Sequence, residues 1–154
     1  MKFTIEQIAI CPRDPAAARV FLSDLGLSDW VHDTVDAVGI PGNSTAELSF
    51  NYQGGCEKPL EFEVLHYVKG DNWMAHQPPR VSHLGMHVTE EELQDFDVVM
   101  RRWNVAIAQA VATTNHTNPA IAGKRWYKYV IYDTFPLLGV DLKFIIRKEE
   151  PAHG

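Results

Sequence analysis

Two histidines four residues apart, His83 and His87 in the apolar stretch VSHLGMHV, form the first pair in this chain whose types and spacing suit chemistry. Imidazoles so placed either bind a metal and move protons or sit as satisfied core groups. Helix and strand both bring positions i and i+4 onto one face, so the pair alone does not fix its geometry. Two other polar residues are embedded in apolar surroundings: Gln7 among Ile5, Ile8 and Ile10, and Glu63 between Phe62 and Val64. Each needs a partner, because unpaired polar burial costs several kcal/mol.

The elements that position these groups come from a repeat. Residues 6–11, EQIAIC, align with 82–87, SHLGMH, which pairs Ile8 with Leu84, Ala9 with Gly85 and Ile10 with Met86. Gln7 and His83 are then equivalent, 76 residues apart, and His87 is the mate of Cys11. A helix start follows each copy. Asp14 is a natural N-cap with Pro15 in the first helical position, and Thr89 to Glu92 reads as a capping box. Phe21, Leu22 and Leu25 form the apolar stripe of the first helix, which ends near Gly26. Leu93, Phe96, Val99, Met100 and Trp103 form that of the second; both stripes are expected to be core.

Three strand-like runs follow each helix: WVHDTVDAVGI, AELSFNY and PLEFEVLHY, then VAIAQAVATT, RWYKYVIYD and GVDLKFIIR. Gly42-Asn43, Gly54-Gly55 and the Pro136 to Gly139 segment punctuate them as turns. The closing strands align as LEFEVLH over VDLKFII, which makes Lys143 the mate of Glu63, 80 residues on. The chain therefore reads as an α+β protein, a single domain over 1–154 made of two tandem βαβββ modules. Module 1 spans about residues 1–67, a polar linker with prolines about 68–80, and module 2 about 81–148.

Bulk properties narrow the function classes. With 45% hydrophobic and 22% charged residues the chain is globular rather than disordered. A net charge of −6 without a run of lysines or arginines argues against nucleic acid and anionic membranes as partners. No stretch approaches the roughly 20 apolar residues of a membrane span. Glu6 interrupts the N-terminus too early for a signal-peptide core. Cys11 and Cys56 are far apart with no CxxC spacing, so a disulfide framework is not expected and a reducing cytoplasm fits. Nothing matches a nucleophile elbow, a P-loop or a dinucleotide-binding glycine motif.

The order IEQIAI, DPAAARVFLSDLGL, PLEFEVLHY, VSHLGMHV and YDTFPLLGVDLKFI resembles the vicinal oxygen chelate superfamily, over roughly residues 3–148. That superfamily includes glyoxalase I, bleomycin-resistance proteins and extradiol dioxygenases. The resemblance implies paired modules forming a half-open cup, with Gln7, Glu63, His83 and Lys143 at the four positions that point into it. Gln7, Glu63 and His83 match the metal-ligand types of its enzymes and suit Zn, Ni, Mn or Fe. Lys143 departs from the pattern, since those enzymes usually carry glutamate there, and an ammonium repels a divalent cation. The lysine instead implies a metal-free cup in which it pairs with Glu63.

Two functions follow from the resemblance. One is a binding protein that holds a small molecule in the cup, with a degenerate metal site and with Glu63 and Lys143 as its reactive groups. The other is a divalent-metal-dependent enzyme, a glyoxalase-type lyase or isomerase or a dioxygenase, on a small oxygenated substrate. The sequence leans to the first and leaves open whether the protein is an enzyme. On the strand RWYKYVIYD either Arg125, Tyr127 and Tyr129 or Trp126, Lys128 and Tyr132 line the cup, and no register decides which. Trp73 and Met74 would cover the mouth or pack at a dimer interface, and a homodimer is expected. His87 is expected to be structural, and His66 and His116 read as surface histidines.

Overall fold

A computed structural model describes residues 1–53, 60–70 and 80–149. Among the described residues eight strands occur, the first half running in the order β1 (Gln7–Cys11), α1 (Pro15–Asp24), β2 (Val31–Ile40), β3 (Ser44–Gln53) and β4 (Leu60–Gly70). The same order then recurs as β5 (Arg80–His87), α2 (Glu90–Arg102), β6 (Ile107–His116), β7 (Arg125–Tyr132) and β8 (Asp141–Glu149), with the short α3 (Phe135–Leu138) before the last strand. The βαβββ order therefore occurs twice, and the strands close into one mixed barrel, β1-β4-β3-β2-β6-β7-β8-β5.

Register makes the two halves equivalent. β1 runs parallel to β4 with Gln7 opposite Glu61 and Ala9 opposite Glu63. β5 runs parallel to β8 with His83 opposite Asp141 and Gly85 opposite Lys143. Antiparallel pairs β1–β5 and β2–β6 join the halves. Because side chains alternate along a strand, this register turns Gln7, Glu63 and Lys143 into the cavity of the ring, and His83 is buried on the same side, against Gln7.

The helices begin where capping chemistry places them. The Asp14 carboxylate accepts from Ala17 N at 3.0 Å. Thr89 and Glu92 bond reciprocally at 3.1 and 2.8 Å. Glu90 to Glu92 in the first turn of α2 and Arg101 and Arg102 in its last turn complement the helix dipole.

Packing differs sharply between the halves. α2 buries Leu93, Phe96 and Met100 against the outer face of β5, β7 and β8, where Phe96 stacks 4.6 Å from Phe144. α1 buries no residue, and Phe21 stays 63% exposed beside exposed Val20 and Leu25. The expectation that Phe21 and Leu25 are core is thus corrected: the helix carries three small alanines, Ala16 to Ala18, and too few large side chains to close on the sheet. Trp103, also expected in the core, is exposed because it caps α2 beyond its last buried turn. The Pro136 to Gly139 segment forms α3 rather than a simple turn, closed by Gly139 in the left-handed region at φ 74°. Val68 to Gly70 continue β4 and Arg80 opens β5. Trp73, Met74 and the Gly54-Gly55 turn lie outside the described residues. No helix of the described residues is long and apolar enough to cross a membrane.

Candidate functional site

The barrel encloses a cavity of about 320 Å³. That is the lower end of the range, about 300–1,000 Å³, typical of small-molecule sites. Its wall is apolar along β2 and β3, through Val35, Ala46, Leu48 and Phe50. One end is crossed from β4 to β6 by Tyr67, whose hydroxyl donates to Gln109 Oε1 at 3.3 Å. Tyr52 and Val31 at the other end are exposed and form the rim.

On the β1, β4 and β5 wall a polar chain runs between buried side chains. Gln7 Nε2 donates to Glu61 Oε1 at 2.8 Å and to Glu63 Oε2 at 3.0 Å. With its amide hydrogens facing two carboxyls, Gln7 must turn Oε1 towards His83, and Nε2 of His83 lies 2.7 Å away. The ring therefore carries its proton on Nε2, and Nδ1 accepts from Ser82 Oγ at 3.1 Å. Burial, and then the nearby Lys143 ammonium, hold the His83 pKa well below its ordinary value, so the ring is neutral. Gly85 makes room for the chain, since a Cβ there would stand 3.0 Å from Gln7 Oε1.

Glu63 is only 1% exposed. Burial pushes its pKa up to about 7; Lys143 opposes that rise and Glu61 adds to it. The ion pair expected between Lys143 and Glu63 does not form: among the described residues no carboxylate oxygen lies within 4.0 Å of Lys143 Nζ. The ammonium sits instead over the Tyr129 ring, 4.4 Å from its centre. β8 lies beside β7 as its antiparallel partner, so the ammonium meets the aromatic face of its own sheet neighbour before it can span the cavity to β4.

The alternation of β7 is settled. Arg125, Tyr127 and Tyr129 line the cavity. Lys128 points outward to Glu90 at 3.2 Å, and Tyr132 enters the core, its hydroxyl bonded to Asp97 at 2.7 Å. Arg125 Nε bonds Glu149 at 2.9 Å. His87 is exposed near the rim and bonds Glu6 at 2.9 Å, while His66 faces Glu47 at 3.5 Å.

His116 is not on the surface. It is 6% exposed, and its Nδ1 lies 2.7 Å from Asp33 Oδ2 while Nε2 meets Thr113 Oγ1 at 3.1 Å. Asp33 also accepts from Thr117 N and Asn118 N at 2.8 and 2.9 Å. Burial alone would raise the Asp33 pKa; the His116 bond and the backbone donors outweigh it and leave the carboxyl below its ordinary value. The polar loop NHTNP suggested exposure, but a buried aspartate on the neighbouring strand draws the ring inward. The signal was present in β2, where Asp33 alternates with Val31, Val35 and Ala37 on the inward face. Glu61 was legible in the same way, two residues before Glu63 on one face.

Comparison with known proteins rests on structure alone, since no protein-family model matches the sequence and no curated protein matches it either. A variant of methylmalonyl-CoA epimerase from Streptomyces coelicolor, in complex with 2-nitronate-propionyl-CoA, superposes with a TM-score of 0.57 at 14% identity, over 98% of this chain and 100% of that one. Methylmalonyl-CoA epimerase from Mycobacterium tuberculosis matches with a TM-score of 0.54 at 13% identity, over 95% and 91% of the two chains. A mutant of 4-hydroxymandelate synthase from Streptomyces coelicolor matches with a TM-score of 0.56 at 12% identity, over 98% of this chain and 50% of that one.

The chain has the vicinal oxygen chelate fold.

In that fold the inward positions Gln7, Glu63, His83 and Lys143 stand together, but the donor set as it stands does not fit a resident divalent ion. Gln7 Oε1 already accepts from His83, and Glu63 Oε2 already accepts from Gln7. An ion taking those atoms would break both bonds and meet the repulsion of the Lys143 ammonium. Among the described residues no group of three His, Cys, Asp or Glu side chains is placed to hold a metal.

Proposed function

We propose that this protein binds a small molecule inside its barrel, in a vicinal oxygen chelate cup that works without a resident metal. The observation that carries the reading is Lys143, an 8% exposed lysine at an inward position beside Gln7, Glu63 and His83. An ammonium there supplies the positive charge that a divalent ion would otherwise bring. The apolar wall around Leu48 and Phe50 takes the body of the ligand, and Arg125, Tyr127 and Tyr129 supply polar and aromatic contacts. Glu63 and Lys143 are the reactive groups. A carboxyl with a pKa of about 7 exchanges protons near neutrality, and a buried ammonium stabilises a developing oxyanion.

Two further parts of the reading rest on lighter support. A homodimer is supported by the exposed apolar side chains of α1, Val20, Phe21 and Leu25. A cytoplasmic location is supported by the cysteine content alone.

The competing reading, a divalent-metal-dependent lyase, isomerase or dioxygenase, draws on the convergence of Gln7, Glu63 and His83. Calorimetric titration of the chelator-treated protein with Zn, Ni and Mn separates the two. Absence of binding in the micromolar range supports the metal-free cup, and stoichiometric binding that vanishes in His83→Ala supports the enzyme.

A further inference from the structure

The chemistry of the ligand follows from a count of donors and acceptors in the cup, and the inference rests on the small-molecule reading above. Lys143 is more than nine-tenths buried, lines the cavity, and carries three N–H bonds. Among the described residues its sole specific contact is the Tyr129 ring. A ring face satisfies charge but accepts no conventional hydrogen bond. The Tyr129 hydroxyl, on the same wall, also has no hydrogen-bond partner among the described residues. Two donors with unmet demand therefore converge on one region of the cavity.

The nearby acceptors are engaged with other donors, and among the described residues no carboxylate oxygen comes within 4.0 Å of the Lys143 ammonium. Glu61 and Glu63 both receive the Gln7 amide, Gln7 Oε1 receives His83, and Gln109 Oε1 receives Tyr67. Across the barrel, Asp33 is saturated by His116 and two backbone amides. Opposite the unmet donors the wall is apolar, through Val35, Leu48 and Phe50.

We propose that the cup is built for a small organic monoanion, an apolar or aromatic body bearing one carboxylate or enolate-type oxygen group, whose oxygens are seated on Lys143 and Tyr129. The anion supplies the acceptors that the buried ammonium lacks, and the apolar body fills the cavity against Leu48 and Phe50. A neutral ligand leaves the ammonium unsatisfied, and a cationic one meets it as a like charge.

Calorimetry with three matched probes tests the assignment: naphthoate, its neutral isostere naphthamide, and naphthylmethylammonium. Naphthoate is expected to bind roughly tenfold to hundredfold more tightly than naphthamide, the usual gain for a charge-assisted hydrogen bond. Lys143→Met should erase that preference and Lys143→Arg should keep most of it, with circular dichroism confirming that each variant folds. Lys148→Gln should leave the preference intact, because Lys148 lies outside the cavity lining and pairs with Glu90. Equal affinity for naphthoate and naphthamide, tightest binding of the cation, or a preference that survives Lys143→Met would each overturn the anion assignment while leaving a small-molecule cup in place. No binding of any probe at millimolar concentration would take down both.

Discussion

Lys143 lies on the face of Tyr129, 4.4 Å from the ring centre, and not against Glu63. The two residues are equivalent positions of the two modules, yet they are held by different partners. Glu63 is tied to the Gln7 amide at 3.0 Å, whereas Lys143 rests on an aromatic ring. Their coupling is therefore through space, strong enough to hold down the rise in the Glu63 pKa but too distant to cancel it.

Stability should report that incomplete compensation. The Glu63 pKa rises from 4.5 in the unfolded chain to about 7 in the folded protein, so the folded state binds the proton more tightly. Its contribution is complete below about pH 4.5 and is lost as pH rises through 7, by about 3 kcal/mol at the limit. Urea midpoints for wild type are expected to fall between about pH 5 and about pH 8. Glu63→Gln should flatten this part of the profile and be the more stable protein at the upper pH. An unchanged slope in the variant would assign the titration elsewhere.

Asp33 should act in the opposite sense. Its carboxyl is held below 3.8, so it stabilises the fold above that value and the contribution disappears as pH falls through the folded pKa. Asp33→Ala leaves His116 and the amides of Thr117 and Asn118 without their acceptor, at a cost of roughly 3–5 kcal/mol at neutral pH. Denaturant unfolding is the check. A loss below about 1 kcal/mol would mean the network is not the anchor of β2 to β6.

Gly85→Ala probes the space beside Gln7. A Cβ at 3.0 Å from Oε1 and 3.1 Å from Cβ of Gln7 must displace the amide, which costs about 1–3 kcal/mol. The amide proton of Gln7 that bonds Glu63 should shift and broaden in nitrogen–proton spectra. A spectrum identical to wild type would show that the pocket tolerates the methyl group.

Most of the fold was legible because it rests on local rules. Asp14 and Thr89 start the helices, the period-two strands set the inward faces, and the equivalence of Gln7 with His83 declared the repeat. What failed depended on distant partners. Nothing local tells whether the stripe of α1 finds a cover, and Phe21 does not find one among the described residues. His116 looked exposed because its partner, Asp33, is 83 residues away. The site positions were readable from alternation, but the contact chosen by Lys143 was not. β7, the strand beside β8, brings the Tyr129 ring under the ammonium, a neighbour that no sequence pattern fixes.

The exposed face of α1 makes a further prediction. Wild-type protein at micromolar concentration should sediment as a dimer, and Phe21→Glu should shift it to monomer with the far-ultraviolet spectrum unchanged. A monomer in both cases would leave Val20, Phe21 and Leu25 without a partner copy.

The central claim, that Lys143 stands where a metal would otherwise be held, is tested most directly by thermal melts of wild type, Lys143→Glu and His83→Ala, each with chelator and with Zn, Ni or Mn. A ligand that binds only the folded state raises Tm, by about 2.7 kcal/mol of stability at a hundredfold excess over Kd. The wild type is expected to melt at one temperature regardless of metal. Lys143→Glu, with a carboxylate joining Gln7, Glu63 and His83, is expected to melt lower in chelator and to recover when metal is added. Metal-dependent stabilisation of the wild type that is lost in His83→Ala would contradict the account and establish a metal site in spite of the lysine.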